Sequence, residues 1–600
     1  MKKALAMTLT MALLLSTVGM EFIGIANADP YVPPEEPPAG YSINGDGTYV
    51  GENLQRNGDA YTLTGNVNCP IAILRNGIVL DGAGYTVQGN GASAGIWLRG
   101  RSGLSIKNLN IKNFEYGIKF SYDRYSGEPI ADCTIVGNKI TNNSYGMLIS
   151  ASSGCIITDN YIAVNTYGVK IESSSGVYRN NRFVGNQYAI LDPGYRDNDI
   201  DTSNTIDSKP VYYWVNKHDT TVPSNAGMVL LRNCTGIKVE NLVLKGSGTG
   251  LRLVNTNCST ISGNTLSDNS NGIILQRATN NIISGNHVTN NKNAAIALEQ
   301  SQGNIITDNS VIGNGGGISC SENDTVSSNR IIANQGDGIY AGTSNNITTN
   351  YVSSNVGHGI YIRNISDCNL LGNNITTNGG DGIHFEFGPN AMIKGNYIAE
   401  NNIGIWIGAA FFNNIISNTI IENNGLGIKM EGPHHDNLFY HNNFIDNNES
   451  GIQASIAKHW VYPDLFKRLP PHVTPRPPQY VDGAANAWDD GTEGNYWSDH
   501  QSAGNAPYYI NENNQDNHPL QSPHTISSFE TPTKIIRFPS SSTQPSKEQT
   551  QEPIKIPSIF RVAETVAIVI TLVISVAAAI VLGAVLYFKR GRDEKQRKEL

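Results

Sequence analysis

One column of polar side chains stands out when the repeated Gly-Ile pairs of the chain are aligned. The residue before the glycine is Asp337, His358 and then Asp381 in three successive repeats. A histidine between two carboxylates can serve as a base near neutral pH, because neighbouring negative charge favours its protonated form. Together with Glu386, these residues form the candidate catalytic set, and the chemistry expected of them is cleavage or epimerisation of a polysaccharide.

A neighbouring column carries rings. Its members are Tyr340, Tyr361, His384 and Trp406, and Glu431 follows in a later repeat. Ring surfaces suit the apolar faces of sugars, and carboxylates suit their hydroxyl groups. These five residues are therefore the candidate ligand-binding set. No Arg or Lys stands in the Asp/His column to stabilise a developing negative charge, so we favour binding over catalysis, and turn capping remains the alternative for the column.

Three histidines form the candidate metal site. His434, His435 and His441 lie in the stretch PHHDNLFYH. Imidazoles that converge at a turn can bind a transition metal. A solvated surface loop is the alternative.

These candidates depend on a repeat that must place them on one surface. The Gly-Ile element recurs mostly every 20 to 24 residues from Gly95 to Gly451, and an asparagine recurs in phase with it. Within each repeat, short stretches alternate apolar and polar residues, as expected for strands. Residues one repeat apart then stack about 4.8 Å apart in parallel sheets, with amide ladders formed by the asparagines. We therefore predict an all-β fold, a parallel β-helix with terminal caps.

The ends of the chain predict export and a membrane anchor. Residues 1–28 read as a signal peptide, with Lys2 and Lys3 before an apolar run and an Ala-x-Ala cleavage site. Residues 562–588 contain a charge-free run that is long enough to form one transmembrane helix. The basic tail, 589–600, is expected in the cytoplasm, so the protein would be a single-pass protein of the cell membrane with its N-terminal ectodomain outside.

The remaining boundaries follow from composition and periodicity. Residues 29–60 are assigned to a leader and the start of an N-terminal cap, 61–457 to the repeats, 458–520 to a C-terminal cap and 521–561 to a Ser/Thr/Pro-rich stalk. The periodicity fails over 191–226, which predicts an irregular loop or an enlarged coil there.

Charge and cysteine spacing narrow the possible partners. The net charge is −9, and no Lys/Arg cluster interrupts the repeats, so we expect no nucleic-acid partner. Cys133 and Cys155, and likewise Cys234 and Cys258, are about one repeat apart and could form disulfides or stack as buried thiols. Glycosylation is a further possibility, at the sequons that begin at Asn142, Asn233, Asn257, Asn323, Asn346, Asn364, Asn374 and Asn448.

Several stretches resemble a known family. SGNTLSDNSNGIILQRATNNIISGN, PVYYWVNKHDTTVP and the closing NAWDDGTEGNYWSDH look like right-handed parallel β-helix proteins of the NosD (periplasmic copper-binding) type, within the pectate-lyase-like superfamily. The resemblance implies a right-handed helix over about residues 60 to 520. It also raises copper or calcium as ligands, although the residues themselves predict no cofactor, and the segment HQSAGNA lacks the oxygen ligands expected for calcium.

These features predict a membrane-anchored extracellular β-helix protein with a structural or carbohydrate-binding role, whose partners are a polysaccharide or cell-surface glycan and the membrane. A polysaccharide lyase, epimerase or hydrolase is one alternative. A NosD-like copper-binding or metal-delivery factor is the other.

Overall fold

The structure is a computed structural model, which describes residues 37–121, 130–192, 196–456, 459–461, 479–481, 486–511 and 513–526. The predicted signal peptide, transmembrane helix and basic tail lie outside these residues, as does the stalk beyond residue 526. In the parts of the chain that are described, no helix combines the length and the apolar character needed to cross a membrane.

Each repeat forms one turn of three short strands. In one such turn the strands are Thr249–Val254, Thr260–Ser262 and Thr265–Ser267. Each strand pairs in parallel and in register with its counterpart one turn later, for example Ile261 with Ile283. The side chains at the middle of the strands point inward and are buried, while their neighbours are half-buried. The prediction of an all-β parallel β-helix is confirmed.

Three stacks of strands build the N-terminal half. The first contains Tyr49–Val50, Tyr41–Ile43, Ile71–Ile73, Ala94–Arg99, Tyr116–Ser121, Tyr145–Ser150, Tyr167–Glu172 and Tyr188–Leu191. The second contains Leu54–Asn57, Ala60–Leu63, Val79–Asp81, Ser105–Lys107, Thr134–Val136, Cys155–Thr158, Gly176–Arg179 and Asp199–Ile200. The third contains Thr86–Gln88, Asn110–Lys112, Lys139–Thr141, Tyr161–Ala163, Arg182–Val184 and Thr205–Ile206, and a short side pair joins Ile130–Ala131 to Ser152–Ser153.

Three further stacks build the C-terminal half. The Gly-Ile stack contains Lys209–Val215, Met228–Arg232, Thr249–Val254, Asn271–Gln276, Ala294–Glu299, Gly316–Cys320, Ile339–Ala341, Ile360–Asn364, Ile383–Pro389, Ile405–Phe411, Ile428–Met430, His434–His435 and Ala454–Ile456. The next contains Lys238–Glu240, Thr260–Ser262, Ile282–Ser284, Ile305–Thr307, Thr325–Ser327, Asn346–Thr348, Asn369–Leu371, Met392–Lys394, Asn414–Ile416 and Leu438–Tyr440. The last contains Val243–Lys245, Thr265–Ser267, His287–Thr289, Ser310–Ile312, Arg330–Ile332, Tyr351–Ser353, Asn374–Thr376, Tyr397–Ala399, Thr419–Ile421, Asn443–Ile445 and Tyr496–Trp497.

The halves meet at the segment where the periodicity fails. Thr205–Ile206 forms an antiparallel pair with Lys209–Val215, which then pairs in parallel with Met228–Arg232. Two large hydrophobic cores lie on either side of this junction. Met228 and Leu230 belong to the N-terminal core, whereas Val229 and Leu231 belong to the C-terminal core. Both faces of the strand are therefore buried.

Buried asparagines form ladders along the turns. Asn355 donates from Nδ2 to Oδ1 of Asn378 at 3.0 Å and to the Ile331 carbonyl at 3.3 Å. Its own Oδ1 accepts from the backbone and side-chain nitrogens of Asn334 at 3.0 and 2.9 Å. The side chain thus satisfies buried turn groups that water cannot reach.

The seven cysteines are free thiols. Cys133 and Cys155 are buried at corresponding positions of consecutive turns, which agrees with the stacked-thiol alternative. Cys258 is exposed, whereas Cys234 is buried.

Aromatic residues close the C-terminal end. Trp488 stacks on Phe439 at 4.2 Å between ring centroids, and Trp497 stacks on Phe444 at 4.5 Å. Tyr508 covers the other face of Trp497 at 4.0 Å. Other short elements here are the 3₁₀ helix Ser498–Ala503 and the hairpins His459–Val461 with Gln479–Val481 and Tyr508–Asn511 with Asn514–Asp516.

Candidate functional site

Four rings stack along the outside of the Gly-Ile stack and form what we call the ring ladder. Parallel pairing puts Tyr340, Tyr361, His384 and Trp406 at matching positions of four consecutive turns. The centroid distances are 5.3 Å from Tyr340 to Tyr361, 5.3 Å from Tyr361 to His384 and 4.1 Å from His384 to Trp406. Successive ring planes differ by 26° or less.

Stacking decides which surface these rings offer. The expectation that they present faces to a sugar is wrong for most of the ladder, because neighbouring rings cover one another. Ser319 precedes Tyr340 in the column, so one face of Tyr340 meets only a small side chain, and Tyr340 is 40% exposed. Lys429 follows Trp406. A ligand would therefore contact ring edges along the ladder and a ring face at the Tyr340 end.

The Asp337, His358 and Asp381 column forms as predicted, with each residue bonded to the next turn. Asp337 Oδ1 accepts the His358 backbone N–H at 2.8 Å. The Asp381 backbone N–H donates to His358 Nδ1 at 3.0 Å. Asp337 therefore caps a turn.

His358, Asp381 and His384 come together as one group, the His–Asp–His cluster. His384 Nδ1 lies 2.8 Å from Asp381 Oδ2, and His358 Nδ1 lies 3.6 Å from the same oxygen. The two imidazole centroids are 4.3 Å apart. The side chains of His358, Asp381 and His384 are 28%, 6% and 16% exposed, and Asn402 Nδ2 donates to Asp381 Oδ1 at 3.0 Å.

The protonation states follow from these contacts. Burial by itself would raise the pKa of Asp381, but hydrogen bonds from His384 and Asn402 hold that pKa below its ordinary value. Burial, followed by the neighbouring His384, lowers the pKa of His358, although the charges of Asp381 and Asp337 act in the opposite direction. The flanking carboxylates favour charged His358 as expected, but burial and His384 outweigh them. At neutral pH the cluster holds an ionised Asp381 and a neutral His358.

Glu386 binds a ring hydroxyl. Tyr361 donates its hydroxyl to Glu386 Oε1 at 2.6 Å, and Arg363 Nε lies 3.9 Å from Glu386 Oε2. Burial, together with the bond to Glu386, raises the pKa of Tyr361, so the phenol stays protonated. Glu431 instead pairs with Lys429 at 2.7 Å, beyond the Trp406 end of the ladder.

Two family models match the sequence. The model described as periplasmic copper-binding protein (NosD) matches residues 39–213 and 193–357, which together are more than half of the chain. The chain belongs to the NosD family. A second model, described as right handed beta helix region, matches residues 340–461 and covers the cluster and the ring ladder. The NosD resemblance of the sequence is confirmed.

Solved structures show distant likeness to this NosD protein. The periplasmic alginate epimerase AlgG is 10% identical, with a TM-score of 0.26 over 68% of this chain and 80% of the epimerase. The A-module of mannuronan C-5 epimerase AlgE4 from Azotobacter vinelandii is 14% identical, with a TM-score of 0.29 over 62% and 90%. The Dettilon tailspike protein is 14% identical, with a TM-score of 0.23 over 59% and 60%. No curated protein matches the chain.

The three histidines predicted as a metal site in this NosD chain do not converge. His434 is buried, with Nδ1 3.2 Å from Asn486 Nδ2. His435 is adjacent on the strand and faces the other way, where it contacts Asp436 and packs at a tilt against the ring of Phe411. His441 lies at the next corner of the turn, and its partners are Glu493 at 2.7 Å and the ring of His524 at 4.1 Å. Among the residues that the structure describes, the His–Asp–His cluster is the one group with metal-ligand spacing.

Sequence reasoning placed His384 among the rings and separated it from Asp381. The signal that joins them is the stretch Asp-Gly-Ile-His, from residue 381 to 384. Both side chains lie outside the core, and the histidine ring reaches the carboxylate of the residue three positions before it. Asn402 was also missed, because it sits in a turn where asparagine is common.

Proposed function

We propose that this protein is an exported β-helix protein that binds a transition-metal ion at the His–Asp–His cluster, with Cu(II) as the first ion to test. One observation carries the proposal, namely that two imidazole nitrogens and a carboxylate oxygen lie close together on the surface of the helix. Anchoring at the outer face of a membrane by residues 562–588 is part of the same proposal. The family description, which names periplasmic copper binding, supports the choice of metal.

The spacing of the donor atoms fits a shared ion. Two ligand atoms about 2.0–2.1 Å from one metal lie about 3 Å apart. The separations of 2.8 and 3.6 Å from Asp381 Oδ2 to the two Nδ1 atoms bracket that value. Binding would replace the hydrogen bonds that these nitrogens make with Asp381, and the proton that His384 Nδ1 donates to Asp381 would have to leave that nitrogen.

The donor types select among metals. Imidazole and carboxylate ligands suit Cu(II) and Zn(II), whereas Cu(I) prefers thiolate and thioether sulfur. Calcium prefers oxygen ligands throughout. Tyr361 and Trp406 stack on opposite sides of His384 and restrain the plane of its ring, which reduces the entropy lost on binding. The cluster is therefore better suited to Cu(II) or Zn(II) than to calcium or Cu(I).

Calorimetric titration of the full-length protein with Cu(II) tests this function. We expect one ion per chain, with affinity reduced at least about tenfold in His384→Ala and His358→Ala. His435→Ala and His441→Ala are the matched controls, because they remove imidazoles away from the cluster. The proposal is wrong if the controls lose as much affinity as the cluster variants, or if the unmodified protein takes up no stoichiometric copper or zinc.

Saccharide binding along the ring ladder is a second candidate. The observation that favours it is the polar edge made by Tyr361, Glu386 and Arg363 beside the open face of Tyr340. Such an edge offers donors and acceptors to sugar hydroxyls, and the open face offers apolar contact. The Asp337 column would then serve to shape the turns.

Retention of the protein on immobilised neutral polysaccharides tests saccharide binding by the ring ladder. Tyr340→Ala and Tyr361→Ala should abolish retention, whereas His435→Ala should not. Unchanged retention in both tyrosine variants excludes the ladder as a saccharide site. Appearance of new reducing or unsaturated ends would instead favour the enzymatic alternative, with Glu386 and the cluster as its candidate groups.

A further inference from the structure

A second set of stacked rings lies on the N-terminal half, and we call it the tyrosine ladder. Tyr116, Tyr145, Tyr167 and Tyr188 occupy the position before the glycine, or before Ala189, in four consecutive turns. Their centroids are 5.0, 4.8 and 5.1 Å apart in order, and the first three rings are nearly parallel. The first three are half-buried, and Tyr188 is buried.

Lysines line this ladder. Lys119 Nζ lies 4.8 Å from the Tyr116 centroid, and Lys170 Nζ lies 5.8 Å from that of Tyr145. Lys292 belongs to the C-terminal half but reaches the ladder. Its Nζ lies 6.0 Å from the Tyr167 and Tyr188 centroids and donates to the Tyr167 hydroxyl at 3.4 Å. A cationic row therefore follows the rings over consecutive turns.

Lys170 and Lys292 stay charged at neutral pH because their pKa values are raised. The bond to Tyr167 raises the pKa of Lys292, which is an exposed side chain. Burial acts to lower the pKa of Lys170, but the ion pair with Glu172 at 2.5 Å outweighs burial and raises it. That ion pair also demonstrates that a carboxylate fits beside the ladder.

Rings and lysines together favour anions. An aromatic ring is negative on its face and positive at its edge. In the tyrosine ladder, neighbouring rings and lysines cover faces, so the half-buried rings of Tyr116, Tyr145 and Tyr167 meet solvent mainly at their edges. The ring ladder of the C-terminal half differs, because Asp337, Asp381 and Glu386 surround it with negative charge.

We propose that the tyrosine ladder, with Lys119, Lys170 and Lys292, binds an anionic polysaccharide that carries a carboxylate on each sugar. Such a chain can lie along the axis of the helix and place successive carboxylates near successive lysines, where charge-assisted hydrogen bonds form. The proposal uses none of the residues of the His–Asp–His cluster, so it can fail or succeed independently of metal binding.

A single-stranded nucleic acid fits the tyrosine ladder less well than an anionic polysaccharide does. Proteins that bind single strands stack bases on open aromatic faces. Centroid separations of 4.8 to 5.1 Å leave no gap for a base between the tyrosine rings. Sugar carboxylates need only the edges and the lysines.

Binding of a fluorescent galacturonate oligosaccharide to the full-length protein, followed by anisotropy, tests the proposal. The variant Lys119→Gln/Lys170→Gln/Lys292→Gln should weaken binding at least about tenfold. Lys139→Gln/Lys238→Gln/Lys394→Gln is the matched control, which removes the same charge elsewhere and should change affinity less than about twofold. Tyr145→Leu, which interrupts the stack, should also weaken binding.

Three outcomes would overturn the proposal. The first is equal loss of affinity in both triple variants, which would indicate attraction by net charge alone. The second is equal binding of a neutral cello-oligosaccharide. The third is tighter binding of polyuridylate than of the galacturonate oligosaccharide. The copper affinity of Lys119→Gln/Lys170→Gln/Lys292→Gln should equal that of the unmodified protein. This result separates failure of the saccharide proposal from failure of the metal site.

Discussion

A single carboxylate organises the candidate site. Asp381 accepts from His384 and Asn402, and its backbone N–H donates to His358 in the preceding turn. One residue thereby fixes the positions of two imidazoles on neighbouring turns. Because burial and His384 lower the pKa of His358, the imidazole is free of its competing proton over a wider pH range than an exposed histidine.

Copper binding should therefore tolerate mild acid. We expect the affinity to stay nearly constant down to about pH 6.5, the ordinary pKa of histidine. Below it the affinity should fall, as His358 takes up a proton and then Asp381 does so. Calorimetric titrations at a series of pH values measure this profile, with His435→Ala as a control that should follow the same curve. A loss of affinity that begins between pH 8 and 7 would contradict the assignment of His358.

Asp324 is a carboxylate in a ladder of amides. It accepts from the backbone and side-chain nitrogens of Asn304 at 2.9 and 3.1 Å, and its backbone N–H donates to Asn345 Oδ1 at 2.8 Å. Burial raises its pKa to about 6. The folded state therefore binds this proton more tightly than the unfolded state, so ionisation of Asp324 destabilises the fold as pH rises from about 4 to about 6.

Asp324→Asn should remove this cost. We expect the free energy of unfolding at pH 7 to rise by about 2 kcal/mol at most, because the burial of a charge is avoided while the hydrogen bond from the Ser321 backbone N–H to Oδ2 is lost. The gain should shrink as pH falls from 6 to 4. Urea unfolding at both pH values measures it, and Asn329→Asp, the reverse change in a neighbouring ladder, should destabilise. A lower stability of Asp324→Asn at pH 7 would refute this account.

Sequence reasoning went furthest where a residue's position in the repeat decides its neighbours. Asp337, His358 and Asp381 could be predicted to stack because each precedes an aligned glycine. The hydrogen bond from His384 to Asp381 could not be predicted, since it depends on the side-chain rotamers of two residues that are three positions apart. His434, His435 and His441 are close in sequence, but adjacent strand residues face opposite ways and a corner separates the third.

At the scale of strands, the Gly-Ile glycines allow close approach of turns. A Cβ at Gly317 would lie 1.9 Å from the Gly338 carbonyl oxygen, whereas a Cβ at the adjacent Gly316 would find its nearest neighbour at 4.0 Å. Gly316 can thus be replaced by a residue with a Cβ atom, whereas Gly317 cannot. The sequence displays the glycine column, but the carbonyl that requires it becomes visible only in the structure.

Gly317→Ala should destabilise the protein by about 2–3 kcal/mol, because the backbone of the next turn must move. Gly316→Ala should be neutral or slightly stabilising, because alanine restricts the unfolded chain. Chemical denaturation of the two variants, one residue apart, measures the difference. Equal stabilities would show that the close approach to Gly338 is not a constraint.

At the scale of the whole molecule, the described residues form two large hydrophobic cores that share one strand. Met228–Arg232 buries alternate side chains in opposite cores, and the antiparallel pair before it interrupts the regular winding. The lost periodicity of 191–226 indicated that the winding changes there. It could not reveal a second core, because the apolar pattern of each half is the same.

The two cores should respond separately to a cavity. Ile135→Ala, in the N-terminal core, should cost about 2–5 kcal/mol locally and accelerate amide hydrogen exchange in the N-terminal strands. Ile393→Ala should do the same in the C-terminal strands. Exchange followed by mass spectrometry compares peptides from Thr134–Val136 and Met392–Lys394. Faster exchange in both halves of either variant would indicate one cooperative unit.

The aromatic stack of Phe444, Trp497 and Tyr508 has a consequence for assembly. Parallel strands at an uncovered end would be a template on which another copy could add, as monomers add to a growing polymer. Tyr508 stacks on Trp497 at this end, so we expect it to hinder that addition. We therefore expect the C-terminal cap to oppose end-to-end association of a fold built from self-complementary turns.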